Sequence, residues 1–274
     1  MRSTLSKTSN GPIEYRLEGA GPVVMVLNGG HCSRNTRLSH ERLTGCGFSV
    51  LTPSRPGYDA TPSSVGRTAQ EAADALAGLL DTLSIPTVSL IGISAAGPTA
   101  LAFAQRYPTR TRHLILESAV TVAWDEQTKR HAPLLFGRAE KLTWALARVA
   151  LKYAPAMTMK AILRAMTTLD VNDVFTRLSP ADRAFVAHMI QTSQSGTGFL
   201  LDLEHQLERL DGITMPVLVM YSPHDKSVPR LHAARIMHEV ATAETYPVLA
   251  DTHLIWIGQH ADEVWHKRLA FLTT

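Results

Sequence analysis

The chain has 274 residues, an ordinary soluble composition and a formal net charge of +3, with Lys and Arg dispersed along it. That length can bury a large core, and so small and dispersed a charge is weak evidence for a nucleic-acid partner. Cys32 and Cys46 form neither a disulfide framework nor a metal-spaced cluster, no apolar run approaches a membrane span, and polar Met1–Asn10 lacks the apolar core of a signal peptide, so a cytoplasmic protein is expected.

Ile13–Glu18 alternates apolar and polar residues, as an edge strand does. Gly19-Ala-Gly-Pro22 is a turn. Val23–Leu27 is a continuous apolar run suited to an internal parallel strand, and it runs into Asn28-Gly-Gly-His-Cys-Ser33. The paired glycines allow a close backbone approach and can aim N–H groups outward; a plain tight turn is the alternative. A helix is expected around Arg34–Thr44, then a strand at Phe48–Leu51 and a proline-rich loop from Thr52 to Pro62. Thr68–Leu83 is amphipathic, with Ala69, Ala73, Leu76, Leu80 and Leu83 on one stripe.

Val88–Ile93 reads as a buried strand and Ala95–Ala104 as a buried helix. Between them Gly92-Ile-Ser-Ala-Ala-Gly97 must turn sharply, which calls for small neighbours, and Pro98 fits the first helical turn. The turn puts the Ser94 hydroxyl at the carboxyl end of a strand beside a helix N-terminus, a place that favours an oxyanion. His113–Glu117 is a further strand. From Val122 to Leu210 strand signals vanish, and Ala139–Tyr153, Ala156–Thr168 and Pro180–Gln191 read as helices. Alternation resumes with a strand at Pro216–Tyr221, a helix at Arg230–Val240, a strand at Glu244–Leu249 and a helix at Gln259–Leu272. The pattern is an α/β fold with a mostly parallel, doubly wound sheet. Residues 1–121 and 211–274 are expected to form the core, and 122–210 an inserted helical cap.

Four segments, in order, resemble the α/β-hydrolase fold superfamily, in its capped, serine-nucleophile, esterase- or lipase-like branch. Leu27-Asn-Gly-Gly-His31 is similar to the oxyanion loop, although that loop usually begins with His where this chain has Asn28. Ser54-Arg-Pro-Gly-Tyr58 resembles the arginine-proline-glycine loop, and Gly92-Ile-Ser-Ala-Ala96 the nucleophile elbow. Tyr221–Pro229 and His253-Leu-Ile-Trp256 resemble the acid turn and the catalytic-histidine loop. The resemblance implies Ser94 as nucleophile, His253 as base and Asp225 as acid, with the oxyanion hole at the N–H groups of Gly30 and Ala95. Glu117, at a strand end, is the rival acid.

The expected reaction is hydrolysis of a carboxylic ester or thioester through an acyl-enzyme, with a small-molecule acyl substrate and no metal or organic cofactor. Carbon–carbon, amide or lactone hydrolysis, or acyl transfer, are alternatives on the same triad. A ligand-binding receptor with little turnover is the alternative from another class. His31 either contacts substrate or caps its loop. Arg55 stands near the entrance or fixes the proline-rich loop. Trp124 and Trp144 line an acyl pocket or pack the cap. Cys32 is a buried filler, and His205, His224, His232, His238 and His260 are structural or exposed. Thr121–Gly196 carries ten Lys/Arg against six Asp/Glu, which suits an acidic substrate or a solvated face.

Overall fold

The runs of apolar, β-branched residues become the middle of one eight-stranded sheet. A computed structural model describes residues 4–274; residues 1–3 of the polar stretch Met1–Asn10 lie outside the described residues. The strands are β1 (Thr4–Thr8), β2 (Gly11–Gly19), β3 (Val23–Leu27), β4 (Ser49–Pro53), β5 (Val88–Ile93), β6 (Thr111–Glu117), β7 (Val217–Tyr221) and β8 (Ala243–Pro247), in the spatial order β1-β2-β4-β3-β5-β6-β7-β8. The hairpin β1–β2 and the β2–β4 pair are antiparallel, and every other pair is parallel. Ile13–Glu18 is therefore not the edge: β1 pairs with it on one side and β4 on the other, and of its apolar residues Ile13 is buried while Leu17 is exposed.

Successive residues of the central strands point to opposite faces, so each face has its own core. Met25, Leu90, Leu114 and Val217 pack on α1 (Ala69–Thr82), α2 (Gly97–Arg106) and α9 (Leu231–Glu239). Val24, Ile91, Ile115 and Leu218 share the other face with α10 (Ala261–Leu272). Helix α1 starts at a full capping box, with Thr68 accepting from Glu71 N–H and Glu71 accepting from Thr68 N–H. The helix expected at Arg34–Thr44 is instead a loop followed by a 3₁₀ turn at His40–Cys46. Ser39 there is left-handed, and side-chain bonds rather than periodicity hold the segment.

Between β6 and β7 the chain is helical: α3 (Glu126–Phe136), α4 (Glu140–Tyr153), α5 (Pro155–Arg164), α6 (Val171–Arg177), α7 (Pro180–Thr192) and α8 (Gly198–Glu204). Register matters most at the middle of the sheet. Leu27 of β3 lies opposite Gly92 of β5, so the loops leaving these two strands run side by side at the carboxyl edge. The chain leaves β3 toward one side of the sheet and β5 toward the other, and such a switch point opens a crevice at that edge.

Candidate active site

Ser94 follows β5 directly and has φ 49°, a left-handed conformation that non-glycine residues rarely adopt. The turn is held by its surroundings. Ser94 C=O accepts the Val120 N–H at 2.9 Å. Gly97 lies so close to the next crossing that a Cβ would stand 1.9 Å from the Val120 carbonyl oxygen, and a Cβ on Gly92 would stand 2.5 Å from that of Ala100. The small residues around Ser94 are thus required by contact.

The loop after β3 is laid over this turn. A Cβ on Gly29 would lie 2.9 Å from Ser94 Cβ, and one on Gly30 would lie 3.3 Å from Ala95 Cβ and 2.8 Å from the Phe199 ring. Asn28, which stands where related loops carry His, closes the loop: its amide donates to the carbonyls of Ser33 (3.0 Å) and Thr36 (3.4 Å).

Asp225 and His253, 28 residues apart in sequence, meet in a buried pair. His253 Nδ1 lies 2.6 Å from Asp225 Oδ2, and Val228 N–H donates to Oδ1 at 2.8 Å. A carboxylate only accepts, so Nδ1 carries the hydrogen and Nε2 of the neutral ring is left as an acceptor. Both loops are braced by the segment that follows α5. His253 N–H donates to Met166 C=O at 2.9 Å, Thr168 N–H to His224 C=O at 3.0 Å, and Thr167 forms a bridge with Asp225. Ser118 Oγ donates to His253 C=O at 3.0 Å from the sheet side.

Ser94 and His253 both line a cavity of about 890 Å³ between the sheet edge and the insertion, together with Gly30 and Ala95. No hydrogen bond joins Ser94 Oγ to His253 among the described residues. His31, Trp124 and Trp144 stand in the same wall. The His31 ring packs 3.9 Å from that of Phe199 and 4.1 Å from that of Phe136. Trp144 Nε1 donates to Ser195 Oγ at 3.3 Å, and the same oxygen lies 2.6 Å from His31 Nδ1. Burial pushes the His31 pKa down to about 3.

Arg55 does not reach the cavity. Its guanidinium is buried against both carboxylate oxygens of Asp202 on α8, its Nε donates to Asn28 C=O at 3.0 Å, and Tyr58 donates to Asp202 at 2.5 Å. Of its two expected places, the structural bond is the one found. Glu117 is also committed elsewhere. Its carboxylate takes bonds from Arg268 (2.7 Å), His40 (2.9 Å) and Trp256 (2.5 Å). Burial alone would push this carboxyl up; Arg268 and His40 outweigh it and hold the pKa well below the usual range. Burial raises the Cys32 thiol to about 12, so it carries no thiolate at neutral pH. Among the described residues no group of three or more His, Cys, Asp or Glu is arranged to hold a metal ion.

Of the two expected places for His232, structural or exposed, the structural one is found, and the residue is buried in the cavity wall. Its Nδ1 accepts the N–H groups of Thr121 (2.9 Å) and Val122 (3.2 Å). Nδ1 is then unprotonated and Nε2 bears the hydrogen; burial lowers this pKa to about 4. No local pattern announces these contacts, because the partners lie 110 and 111 residues away.

A serine in a left-handed turn after a central strand and the histidine of a buried histidine–carboxylate pair line one cavity of a doubly wound fold, an arrangement suited to hydrolysis. The chain belongs to the alpha/beta hydrolase fold family, whose model matches residues 22–253. It is 33% identical over 270 residues to an uncharacterized hydrolase, YcgS, of Bacillus subtilis, covering 96% of this chain and 95% of that one. A stretch of 114 residues, 39% of this chain and 40% of the relative, is 32% identical to a 2-hydroxy-6-oxo-6-phenylhexa-2,4-dienoate hydrolase of Burkholderia cepacia. Among solved structures, an alpha/beta hydrolase fold protein from Nakamurella multipartita superposes with a TM-score of 0.85 at 24% identity, over 99% of both chains.

Proposed function

We propose that the protein hydrolyses a neutral carboxylic ester or thioester through an acyl-enzyme on Ser94, with residues 122–210 acting as the cap. His253 Nε2 takes the hydroxyl proton as Ser94 Oγ attacks the acyl carbon, and returns it to the leaving group. Asp225 holds the ring and stabilises the imidazolium without taking its proton. The Gly30 and Ala95 N–H groups receive the oxyanion, each such donor contributing roughly 3 kcal/mol to the transition state. Water activated by His253 then releases the acid. The observation that carries this reading is the Asp225–His253 pair opening onto the cavity that Ser94 shares.

The relative from Burkholderia cepacia acts on a dienoate, which argues for carbon–carbon cleavage as the second reading. The cavity wall supports the first. Its Asp, Glu, Lys and Arg side chains are Asp125, whose carboxylate caps α3, and Lys226, and both are exposed. A substrate carboxylate inside would have no buried cation to meet it, at a large desolvation cost.

A fluorophosphonate probe should label the folded protein at one serine, and Ser94→Ala should abolish both the label and p-nitrophenyl ester turnover, by at least about 10³-fold. Labelling that survives Ser94→Ala sinks the assignment. Faster turnover of the phenylhexadienoate than of any ester in a chain-length panel selects the carbon–carbon reading instead.

A further inference from the structure

Helix α4 is apolar on two opposite sides. Trp144 and Leu151 face inward and are buried. Leu142, Leu146, Val149 and Tyr153, at spacings of four, three and four, form one stripe on the other side, with exposures of 60, 59, 54 and 76%. Met157 at the start of α5 continues it at 70%. Scattered exposed leucines need no explanation, but an aligned stripe of large side chains crossing two packed helices does.

Most of the charge around the stripe is positive, with Asp170 beside Arg164 as the nearby exposed acid. From residue 137 to 168 the cations are Arg138, Lys141, Arg148, Lys152, Lys160 and Arg164, and the sole acid is Glu140. Glu140 is buried and accepts the Ser195 N–H, so it does not offset them at the surface. We propose that this outer face of α4 and α5 docks on an anionic lipid surface.

An apolar stripe flanked by Lys and Arg sinks its side chains among acyl chains while the cations meet the headgroups. A second copy of the chain is a poorer occupant, because pairing the two faces would bring like charges together. The attachment is peripheral: no helix among the described residues is long and apolar enough to cross a membrane. The face also leads to the cavity. Ala161 and Ala165, one and two turns beyond Met157 on the same side of α5, line the cavity. Docking would therefore turn an opening toward the lipid.

The test reads binding, not turnover, so it stands apart from the assignment of Ser94. The full chain is pelleted with sucrose-loaded vesicles of phosphatidylcholine alone or of phosphatidylcholine with phosphatidylglycerol. Binding should appear with the anionic vesicles and weaken as salt rises. It should drop at least about tenfold in Leu146→Glu/Val149→Glu and in Lys141→Glu/Lys152→Glu, each variant keeping the wild-type unfolding temperature within a few degrees. Binding to neither vesicle overturns the proposal, as does equal binding to both, or binding that the variants leave unchanged. A concentration-dependent dimer broken by Leu146→Glu, without vesicle binding, overturns it in favour of the second copy.

Discussion

Ser94 occupies a backbone conformation that a serine pays for and a glycine does not. Positions of this kind cost about 1–3 kcal/mol, so Ser94→Gly should raise unfolding stability by about 1 kcal/mol in urea titrations while removing activity. Asp225→Asn keeps an oxygen for the Val228 N–H but presents an amide to His253 Nδ1, which selects the wrong tautomer; kcat should fall by about 10⁴-fold, with the far-ultraviolet spectrum unchanged. His31 and His232 contribute to the loss of stability in acid. Their folded pKa values are about 3 and about 4, against 6.5 for the unfolded chain. The unfolded state therefore binds more protons between these values, so stability present above pH 6.5 is lost as pH falls. The slope is up to about 1.4 kcal/mol per pH unit for each histidine. Urea midpoints measured from pH 7 to pH 5 should show this slope, and His232→Gln should lessen it. Ser94 stood out because the small residues of a sharp strand–helix turn surround it, and the order of the short motifs picked out Asp225 and His253, which lie 2.6 Å apart. His232 was not legible, since its meaning rests on two amides more than a hundred residues upstream.

At the scale of elements, the inner strands were legible because a strand covered on both faces is apolar throughout. Those of β3, β5 and β7 read almost to the residue. Within 122–210 the three helices with long periodic patterns, α4, α5 and α7, were legible, whereas α3, α6 and α8 were not. Two of these have only seven residues, and α3 carries Pro133 inside it; tertiary contacts rather than periodicity maintain them. β1 escaped notice because its residues are mostly polar and its pairing with β2 supplies what its side chains do not. The β5–α2 junction is the least tolerant element. Gly97→Ala would drive a methyl into the Val120 carbonyl, and should cost at least about 3 kcal/mol or prevent folding; thermal unfolding of the soluble fraction measures it.

Across the whole molecule, the two halves of the cavity are joined by buried polar contacts. Arg55 reaches from the loop after β4 to Asp202 on α8. Asp202→Ala should therefore cost about 3–5 kcal/mol, by leaving a buried guanidinium unpaired. Replacing both partners by apolar residues should restore much of it, and comparison of the two unfolding curves decides. The Arg55 loop was legible as a motif, but its partner was not, because nothing near Asp202 in sequence marks it. Glu117 poses the same pairing problem in time. Its counter-ion Arg268 is 151 residues further along the chain, so at roughly 5–20 residues per second the ribosome needs on the order of ten to thirty seconds to supply it. Throughout that interval the Glu117 carboxylate has His40 but not Arg268 to meet it, so its full burial in β6 waits until α10 has been made.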